Sequence, residues 1–336
     1  MITLFKNMSD IIIGLQYGDE GKGKVTKALI ESVKYTHCVR FNGGPNAGHT
    51  IYVNGNKLVT HQVPTGIVYD LTCIIGPCCV IDIDKLEKEI VMLEENGIKD
   101  VRKNLKISYN AHIIKPEHIE DDIANDMSGS THCGIRPVYR DKYNRCGTRA
   151  EKYENICGCS IINSYDELSK ENITVMFEGA QGFMLDIDWG HYPFVTSSHC
   201  TSSMVSSCGF PFKRISSVYG VAKIYETYVG KMEYQGDDKK LEELGELGQE
   251  FGATTGRKRQ CNWLDMDILN RSLAINSVTN LIINKCDILQ KLGVFKLYDN
   301  KQLVEFETFD QMREYINSHI KDKTIKVLYS YHKDKL

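Results

Sequence analysis

The 336-residue sequence has little of what marks a membrane protein or a nucleic-acid-binding protein. Its longest apolar stretch, LTCIIGPCCVIDI at residues 71–83, is too short to span a bilayer and contains both glycine and proline. The formal net charge of −3 gives no reason to expect a surface for nucleic acid or membrane. The opening residues, MITLFKNMSD, lack the long apolar core of a signal peptide. We therefore expect a cytoplasmic protein that binds neither nucleic acid nor membrane.

The twelve cysteines lack the spacing of a zinc site or a disulfide framework. The sequence has no Cys-x-x-Cys pair; the nearest approaches are Cys78-Cys79 and the pair Cys157 and Cys159. No His or Cys pair follows either of them at zinc-finger distance. In a chain of this size, scattered cysteines are mostly small buried hydrophobes of a reducing cytosol. We expect no structural metal.

Internal repeats and low-complexity linkers are also missing, and a hydrophobic content of 42% is enough for a sizeable core. We therefore treat residues 1–336 as a single domain. Short apolar runs bounded by turn residues predict the strands DIIIGLQY (10–17), THCVRFNGG (36–44), CIIGPCCVI (73–81), ITVMFEGA (173–180), SSVYGVAKIY (216–225) and NLIINKCD (280–287). Helical spacing of apolar residues predicts the helices GKVTKALIESV (23–33), IDKLEKEIVMLEENG (83–97), WLDMDILNRSLAI (263–275) and FDQMREYINSHI (309–320). Strands that alternate with helices predict an α/β fold, with a largely parallel central sheet flanked by helices.

The stretch GLQYGDEGKGKVT, residues 14–26, resembles a phosphate-binding loop with two changes. From Gly18 the residues follow the pattern G-x-x-x-x-G-K and end at Lys24. The next residue is Val25, where a P-loop has the Ser or Thr whose hydroxyl holds Mg²⁺. Asp19 and Glu20 lie inside the loop, where we expect their carboxylates to face the phosphates of a nucleotide. Strand, loop and helix come in the order that directs backbone N–H groups at phosphate, although a simple tight turn shows the same order.

A second cluster, NGGPNAGHT at residues 42–50, follows a predicted strand directly. Its three glycines let the backbone approach a ligand closely, and His49 places one imidazole beside that ligand. The alternative is an Asn-Gly turn with an ordinary surface histidine.

Together these two motifs resemble the adenylosuccinate synthetase family, whose members join IMP and aspartate while hydrolysing GTP. Three further segments resemble the signatures of this family and follow in its order: FEGAQGFMLDIDWGHYPFVTSS (177–198), EFGATTGRKR (250–259) and NKCD (284–287). The resemblance therefore extends from about residue 10 to about residue 287. It implies a P-loop-NTPase-like fold, a homodimer, and Mg²⁺ as the cofactor.

The resemblance also implies a mechanism in which Asp19 replaces the missing hydroxyl. In the family, the acid at this position removes the proton from N1 of IMP and reaches Mg²⁺. The deprotonated base then attacks the γ-phosphorus of GTP through O6, and the amino group of aspartate displaces phosphate from C6. His49 is expected to stabilise the moving phosphoryl group by a hydrogen bond, and Lys22 and Lys24 to supply a positive field. Gln181 is expected to orient the purine near Asp19.

The other roles follow position by position from the same resemblance. The expected GTP-binding residues are Gly18, Glu20, Gly21, Lys22, Gly23, Lys24, Gly48, Thr50, Arg259, Lys285, Asp287 and Ser330. The expected IMP-binding residues are Asp19, Lys22, Asn46, His49, Thr131, Arg145, Gln181, Thr196, Val229 and Arg257, with Arg145 reaching the site of the neighbouring subunit. The expected aspartate-binding residues are Ala253, Thr254, Thr255, Gly256, Arg257 and Arg259. The expected metal ligands are Asp19 and the carbonyl of Gly48.

The sequence departs from the family pattern at several places. Arg136 replaces a glycine in THCGIRP, and TSSHCTSSM (196–204) lacks the glycines that usually follow this threonine. The segment between Arg145 and Phe177 is shorter than in the common long members. The C-terminal Gly-Pro-Asp-Arg signature is absent, so Ser330 is only a candidate for the guanine pocket. Two other functions stay open: a ligase that takes dGMP instead of IMP, as phage members of the family do, and a GTP-binding switch without ligase activity.

Overall fold

The computed structural model of the protein describes residues 9–53, 56–126, 129–252, 256–332 and 336. The strands in chain order are β1 (Ser9–Gly14), β2 (His37–Arg40), β3 (His49–Val53), β4 (Asn56–Thr60), β5 (Thr72–Ile75), β6 (Val80–Ile81), β7 (Leu105–Ser108), β8 (His112–Ile113), β9 (Ser160–Ile162), β10 (Val175–Glu178), β11 (Ile215–Lys223), β12 (Tyr225–Tyr228), β13 (Gln260–Asp265), β14 (Asn280–Asn284), β15 (Phe295–Asp299), β16 (Gln302–Phe306) and β17 (Lys326–Tyr329). The helices are α1 (Lys22–Ser32), α2 (Ile83–Glu95), α3 (Val101–Asn104), α4 (Pro116–Ala124), α5 (Ile135–Tyr143), α6 (Ser164–Leu168), α7 (Lys239–Leu247), α8 (Met266–Ile275), α9 (Cys286–Leu292) and α10 (Phe309–His319).

A nine-stranded sheet with the order β17-β14-β11-β1-β10-β2-β5-β7-β9 forms the centre of the described chain. All of its neighbouring strands pair in parallel. This topology confirms the predicted α/β fold with a largely parallel sheet. Because parallel strands end at the same edge, the segments that follow β1, β2, β10, β11 and β14 meet there, where open α/β sheets bind ligands.

Strand β1 is buried on both faces of the sheet and divides the core in two. Ile11 and Ile13 pack into one hydrophobic cluster, and Ile12 packs into the other. Successive side chains of a strand point to opposite faces, so the run Ile11–Ile13 supplies both clusters at once. Because both faces of β1 are buried, apolar residues do not alternate with polar ones along this run.

A smaller sheet extends from the far end of β11. It has the order β12-β13-β15-β16, with antiparallel pairing at both ends and a parallel pair in the middle. A hairpin of β3 and β4 and a short parallel pair of β6 and β8 complete the strand pairing of the described residues.

The structure corrects two of the predicted elements. The segment 73–81 is two strands, because Gly76 and Pro77 interrupt it between β5 and β6. The predicted helix at 263–275 begins only at Met266, since Trp263, Leu264 and Asp265 belong to β13. The Asp265 side chain caps α8 by accepting hydrogen bonds from the next helical N–H groups, which marks where the strand gives way to the helix. The other predicted strands and helices are present with shifted ends, and the single domain stays a prediction.

The described helices include none that is long and apolar enough to cross a membrane. All twelve cysteines are free, and nine of them are buried.

Candidate active site

A cavity of about 460 Å³ opens at the carboxyl edge of the large sheet. Its walls come from segments that are far apart in sequence: the loop after β1, the segment before β3, residues from 122–126 and 129–136, residues from 181–197, residues 227–229, and residues 252, 257 and 259. Twelve of the expected site residues line it: Gly18, Asp19, Lys22, Asn46, Gly48, His49, Thr131, Gln181, Thr196, Val229, Arg257 and Arg259. The fold thus gathers residues that were assigned to IMP, aspartate, metal and catalysis around one space.

The glycine loop between β1 and α1 needs its glycines for backbone shape. Gly18 and Gly21 have φ values of 88° and 91°, in the left-handed region that side chains rarely adopt. A Cβ on Gly21 would also lie 2.9 Å from Nδ2 of Asn284. Gly21 ends the loop as the residue before α1, so the first N–H groups of that helix face the site.

Glu20 does not face the ligand space as expected. Its side chain is buried, and its carboxylate accepts hydrogen bonds from the backbone N–H groups of Gln16 (3.2 Å) and Gly18 (2.9 Å). Lys22 Nζ lies 2.8 Å from the same carboxylate and also donates to the carbonyl of Gln181 at 2.5 Å. Glu20 therefore holds the loop in shape, and only Asp19 of the two acids points towards the cavity.

Asp19 pairs with an arginine from the opposite wall of the cavity. Its Oδ2 atom accepts a hydrogen bond from Nε of Arg259 (2.9 Å), and Nη2 of the same guanidinium lies 2.7 Å from it. Asp19 itself has a φ of 58°, an uncommon value outside glycine, which aims its side chain at the cavity. The expected base and an expected aspartate-binding residue thus lie in direct contact.

Val25, which stands where a P-loop has its magnesium hydroxyl, faces the core. Its side chain has 0% exposure and packs in the same cluster as Ile12. The oxygen donors expected for the metal, the Asp19 carboxylate and the Gly48 carbonyl, both belong to cavity-lining residues. No group of three or more His, Cys, Asp or Glu side chains within the described chain could hold a metal ion. Hard oxygen donors in this small number suit Mg²⁺, which is commonly held by one or two carboxylates together with substrate phosphates.

His49 is buried between an arginine and a glutamate. Its Nδ1 donates to Oε1 of Glu178, because Nε2 must accept from Nη1 of Arg40 at 3.0 Å. Burial and the nearby Arg40 lower the pKa of His49 to about 4, although Glu178 opposes the shift. The imidazole is therefore neutral at physiological pH, and both of its nitrogens are hydrogen-bonded. To donate to a phosphoryl group, Nε2 must first lose its hydrogen bond from Arg40 and become protonated.

Arg40 and Glu178 were missed as functional residues at the sequence level. They are the last residues of β2 and β10 and stand opposite each other in the register of these two strands. Burial alone would raise the pKa of Glu178, but Arg40 and His49 outweigh it and hold the value at about 2. The sequence does carry one signal for this pair: Arg40 and Glu178 have opposite charges, and each stands at the end of an apolar run. Because a buried charge requires a partner, such residues are candidates to pair with each other.

Gln181 presents an unused donor to the cavity. Its φ of 57° turns the chain sharply after β10, and its carbonyl is held by Lys22. Its side-chain Nε2 is buried and has no hydrogen-bond partner among the described residues, and the same holds for Oδ1 of Asn46. Buried polar atoms without partners are rare in proteins, so both are well suited to bind a ligand.

The residues expected at the guanine end lie beside the cavity rather than in it. Lys285 precedes α9 directly after β14 and donates to the carbonyl of Gly248 at 2.8 Å. Asp287 is partly exposed and lies 3.6 Å from Lys291. Ser330 follows β17, which pairs with β14, and Lys24 Nζ donates to its hydroxyl at 2.6 Å. The structure thus brings Ser330, the last expected residue, next to Lys24, the second lysine of the loop, despite the altered C-terminal sequence.

Other expected residues fall outside the cavity wall. Arg145 is exposed just after the end of α5 and does not line the cavity. Gly23 and Thr50 lie where α1 packs on β3. Ala253, Thr254 and Thr255 lie outside the described residues, and Gly256 follows them in an exposed turn. Arg136, the residue that departs from the family pattern, lines the cavity and pairs with Asp121 at 3.3 Å.

Comparison with known sequences identifies relatives over most of the chain. The family model described as adenylosuccinate synthetase matches residues 11–157 and 150–330. The adenylosuccinate synthetases of Alteromonas mediterranea and Chlorobium chlorochromatii are each 38% identical to this chain, over 337 and 364 residues. These alignments cover 84% and 90% of this chain, and 77% and 83% of the two relatives.

Solved structures give the same result. The fully ligated adenylosuccinate synthetase of Plasmodium falciparum superposes with a TM-score of 0.84 at 27% identity, covering 97% of this chain and 98% of that one. The succinoaminodeoxyadenylate synthetase of cyanophage S-2L, bound to dGMP and dATP, superposes with a TM-score of 0.76 at 21% identity. That match covers 98% of this chain and 93% of the phage protein, and at this identity it shows the shared fold alone.

Proposed function

The chain belongs to the adenylosuccinate synthetase family of GTP-dependent ligases, and we propose that it forms adenylosuccinate from IMP and L-aspartate, with GTP hydrolysed to GDP and phosphate. The observation that carries this proposal is the convergence of Asp19, Gln181, Arg257 and Arg259 on one cavity from three separate segments. A GTP-binding switch has no need of two cavity-lining arginines opposite a purine site. The place of the reaction in metabolism is the synthesis of adenine nucleotides.

The proposed chemistry starts at Asp19, which takes the proton from N1 of IMP. Charge then moves to O6, which attacks the γ-phosphorus of GTP and releases GDP. The amino group of aspartate attacks C6 of the resulting 6-phosphoryl-IMP, loses a proton, and displaces phosphate. The unpartnered Nε2 of Gln181 supports this scheme, because it can donate to the purine beside Asp19. Arg257 and Arg259 present guanidinium groups that suit the two carboxylates of aspartate.

The reaction of the family requires a metal ion, and we propose that this ion is Mg²⁺. Asp19 and the Gly48 carbonyl would hold it, with substrate phosphates completing the coordination. A divalent ion at this place supplies neutralisation of the phosphate charge during phosphoryl transfer.

We propose a cytoplasmic homodimer in which Arg145 serves the neighbouring site. The exposed position of Arg145 outside its own cavity supports this assignment, and the free cysteines suit a reducing compartment. Sedimentation of the purified protein should give the mass of a dimer. Arg145→Ala should raise the KM for IMP without changing the KM for aspartate.

One assay tests the function. The protein is supplied with GTP, Mg²⁺ and aspartate, together with either IMP or dGMP, and both product absorbance and phosphate release are followed. We expect product and phosphate in equal amounts with IMP. Product with dGMP alone would establish the phage-type reaction, and phosphate release that needs neither purine monophosphate nor aspartate would establish a GTPase.

A further inference from the structure

Glu250 lies beside the active site but does not line the cavity. Its side chain is fully buried, and three hydrogen-bond donors and one further cation surround its carboxylate. Lys223 Nζ lies at 2.8 Å, the Tyr225 hydroxyl at 2.6 Å and Arg259 Nη1 at 2.5 Å, and Lys285 Nζ forms an ion pair at 3.6 Å. Three cations from three different segments therefore share one anion.

The anion stays charged in this setting. Burial would raise the pKa of Glu250, but Lys223, Lys285 and Arg259 outweigh burial and hold it at about 2. A buried carboxylate that keeps its charge fixes its partners strongly, because charge-assisted hydrogen bonds are about twice as strong as neutral ones.

In the proposed function, Arg259 is expected to bind aspartate as well as GTP, and Lys285 is expected to bind GTP. Arg259 is bound to Glu250 through Nη1 and reaches Asp19 through Nε and Nη2. Lys285, near the expected guanine-reading Asp287, is held from the other side by the carbonyl of Gly248. Glu250 therefore joins the aspartate side of the site to the guanine side.

We infer that Glu250 is a positioning residue that fixes Arg259 and Lys285 relative to each other, and so sets the affinity for aspartate and GTP without touching either substrate. If Glu250 lost its charge, Nη1 of Arg259 would no longer have an anionic partner and Lys285 would lose its ion pair. Asn46, Thr131 and Thr196, which are expected to hold IMP on other walls, make no hydrogen bond or ion pair with Glu250 within the described chain. Asp19, which is also expected to contact IMP, is connected to Glu250 only through Arg259. This inference rests on the proposed function, and it predicts an effect on two substrates and not on the third.

The test compares Glu250→Gln with the wild type and with a matched control, Glu226→Gln. Glu226 is also fully buried, but its described hydrogen bond comes from a tyrosine, Tyr234, rather than from a cation. We expect Glu250→Gln to raise the KM for aspartate and the KM for GTP by about 10-fold or more, with the KM for IMP within about 2-fold. Glu226→Gln should leave all three within about 2-fold.

A double variant separates positioning from simple destabilisation. Glu250→Gln leaves the buried Lys223 without its anion, which lowers the thermal midpoint on its own. In Lys223→Met with Glu250→Gln, the midpoint should recover while the KM for aspartate and the KM for GTP stay high. Parallel changes in all three KM values, recovery of KM together with stability, or a Glu250→Gln enzyme equal to the wild type would each overturn the inference. A wild type that makes no product from IMP would instead contradict the proposed function.

Discussion

The Arg259 guanidinium closes on the carboxylate of Asp19, with Nη2 2.7 Å from Oδ2. The expected base and an expected substrate-binding arginine therefore neutralise each other. Substrate carboxylates would compete with Asp19 for the guanidinium, so aspartate binding and release of the base are linked through one side chain.

Asp19→Asn keeps the size of the side chain and removes its ability to take a proton. Loss of a general base commonly costs about 10²- to 10⁴-fold in rate, so turnover should fall by this range. Steady-state assays at saturating Mg²⁺ measure it. A variant that keeps more than about a tenth of wild-type kcat would show that Asp19 is not the base.

Val25→Thr would restore the residue type of an ordinary P-loop and should still be harmful. Val25 is fully buried in the core, so the added hydroxyl would lack water and should cost about 1–3 kcal/mol of unfolding free energy. Chemical denaturation measures the loss, with Val25→Ala as a control for lost packing. A Val25→Thr enzyme with unchanged stability and tighter Mg²⁺ dependence would mean that this position faces the nucleotide.

Arg40→Met should release Nε2 of His49. Because Arg40 lowers the pKa of His49, its removal should raise that pKa above the wild-type value of about 4. NMR titration of the imidazole checks this, with Arg40→Lys as the variant that keeps the charge. Identical titration curves for wild type and Arg40→Met would show that Arg40 does not control the histidine.

Glu226→Gln should change how stability depends on pH. Burial raises the pKa of Glu226 to about 8, from 4.5 in the unfolded chain, although the hydrogen bond from Tyr234 opposes the shift. Its stabilising contribution is complete below about pH 4.5 and is lost as the pH rises through about 8, because the unfolded chain gives up this proton near pH 4.5 while the folded state keeps it until about pH 8. The stability of Glu226→Gln relative to wild type should therefore increase from pH 5 to pH 8, by on the order of a few kcal/mol. A difference that stays constant over this range in denaturation curves contradicts the assignment.

Asp287→Asn should weaken the preference for GTP. A carboxylate accepts two hydrogen bonds from guanine, worth about 1.5–3 kcal/mol, so discrimination of roughly 10- to 150-fold is expected from this residue. Values of kcat/KM for GTP, ATP and xanthosine triphosphate on both enzymes measure the change. If wild type uses ATP as well as GTP and the variant alters neither, Asp287 does not read the base.

Much of the fold and part of the site could be predicted from sequence, because the strands, helices and glycine loop are each encoded by a pattern of neighbouring residues. The run Ile11–Ile13 predicts a doubly buried strand, and the glycines that follow it predict a loop before α1. The roles of Glu20, Arg40 and Glu250 could not be predicted in this way. Each depends on a partner brought near by strand register or loop closure, as when Arg40 and Glu178 end paired strands. The boundary at Asp265 was missed because Trp263 and Leu264 fit a helix and a strand equally well.

The central place of β1 in the sheet has a consequence for how the chain acquires its shape during synthesis. The strands beside β1 are β10 and β11, which begin at Val175 and Ile215, so β1 is synthesised well before the strands with which it pairs. The loop that follows it depends on residues made later still, since Nδ2 of Asn284 donates to the carbonyl of Glu20 at 2.7 Å. Contacts of such high sequence separation form slowly. The phosphate loop therefore gains its last described contact only after Asn284 has been synthesised.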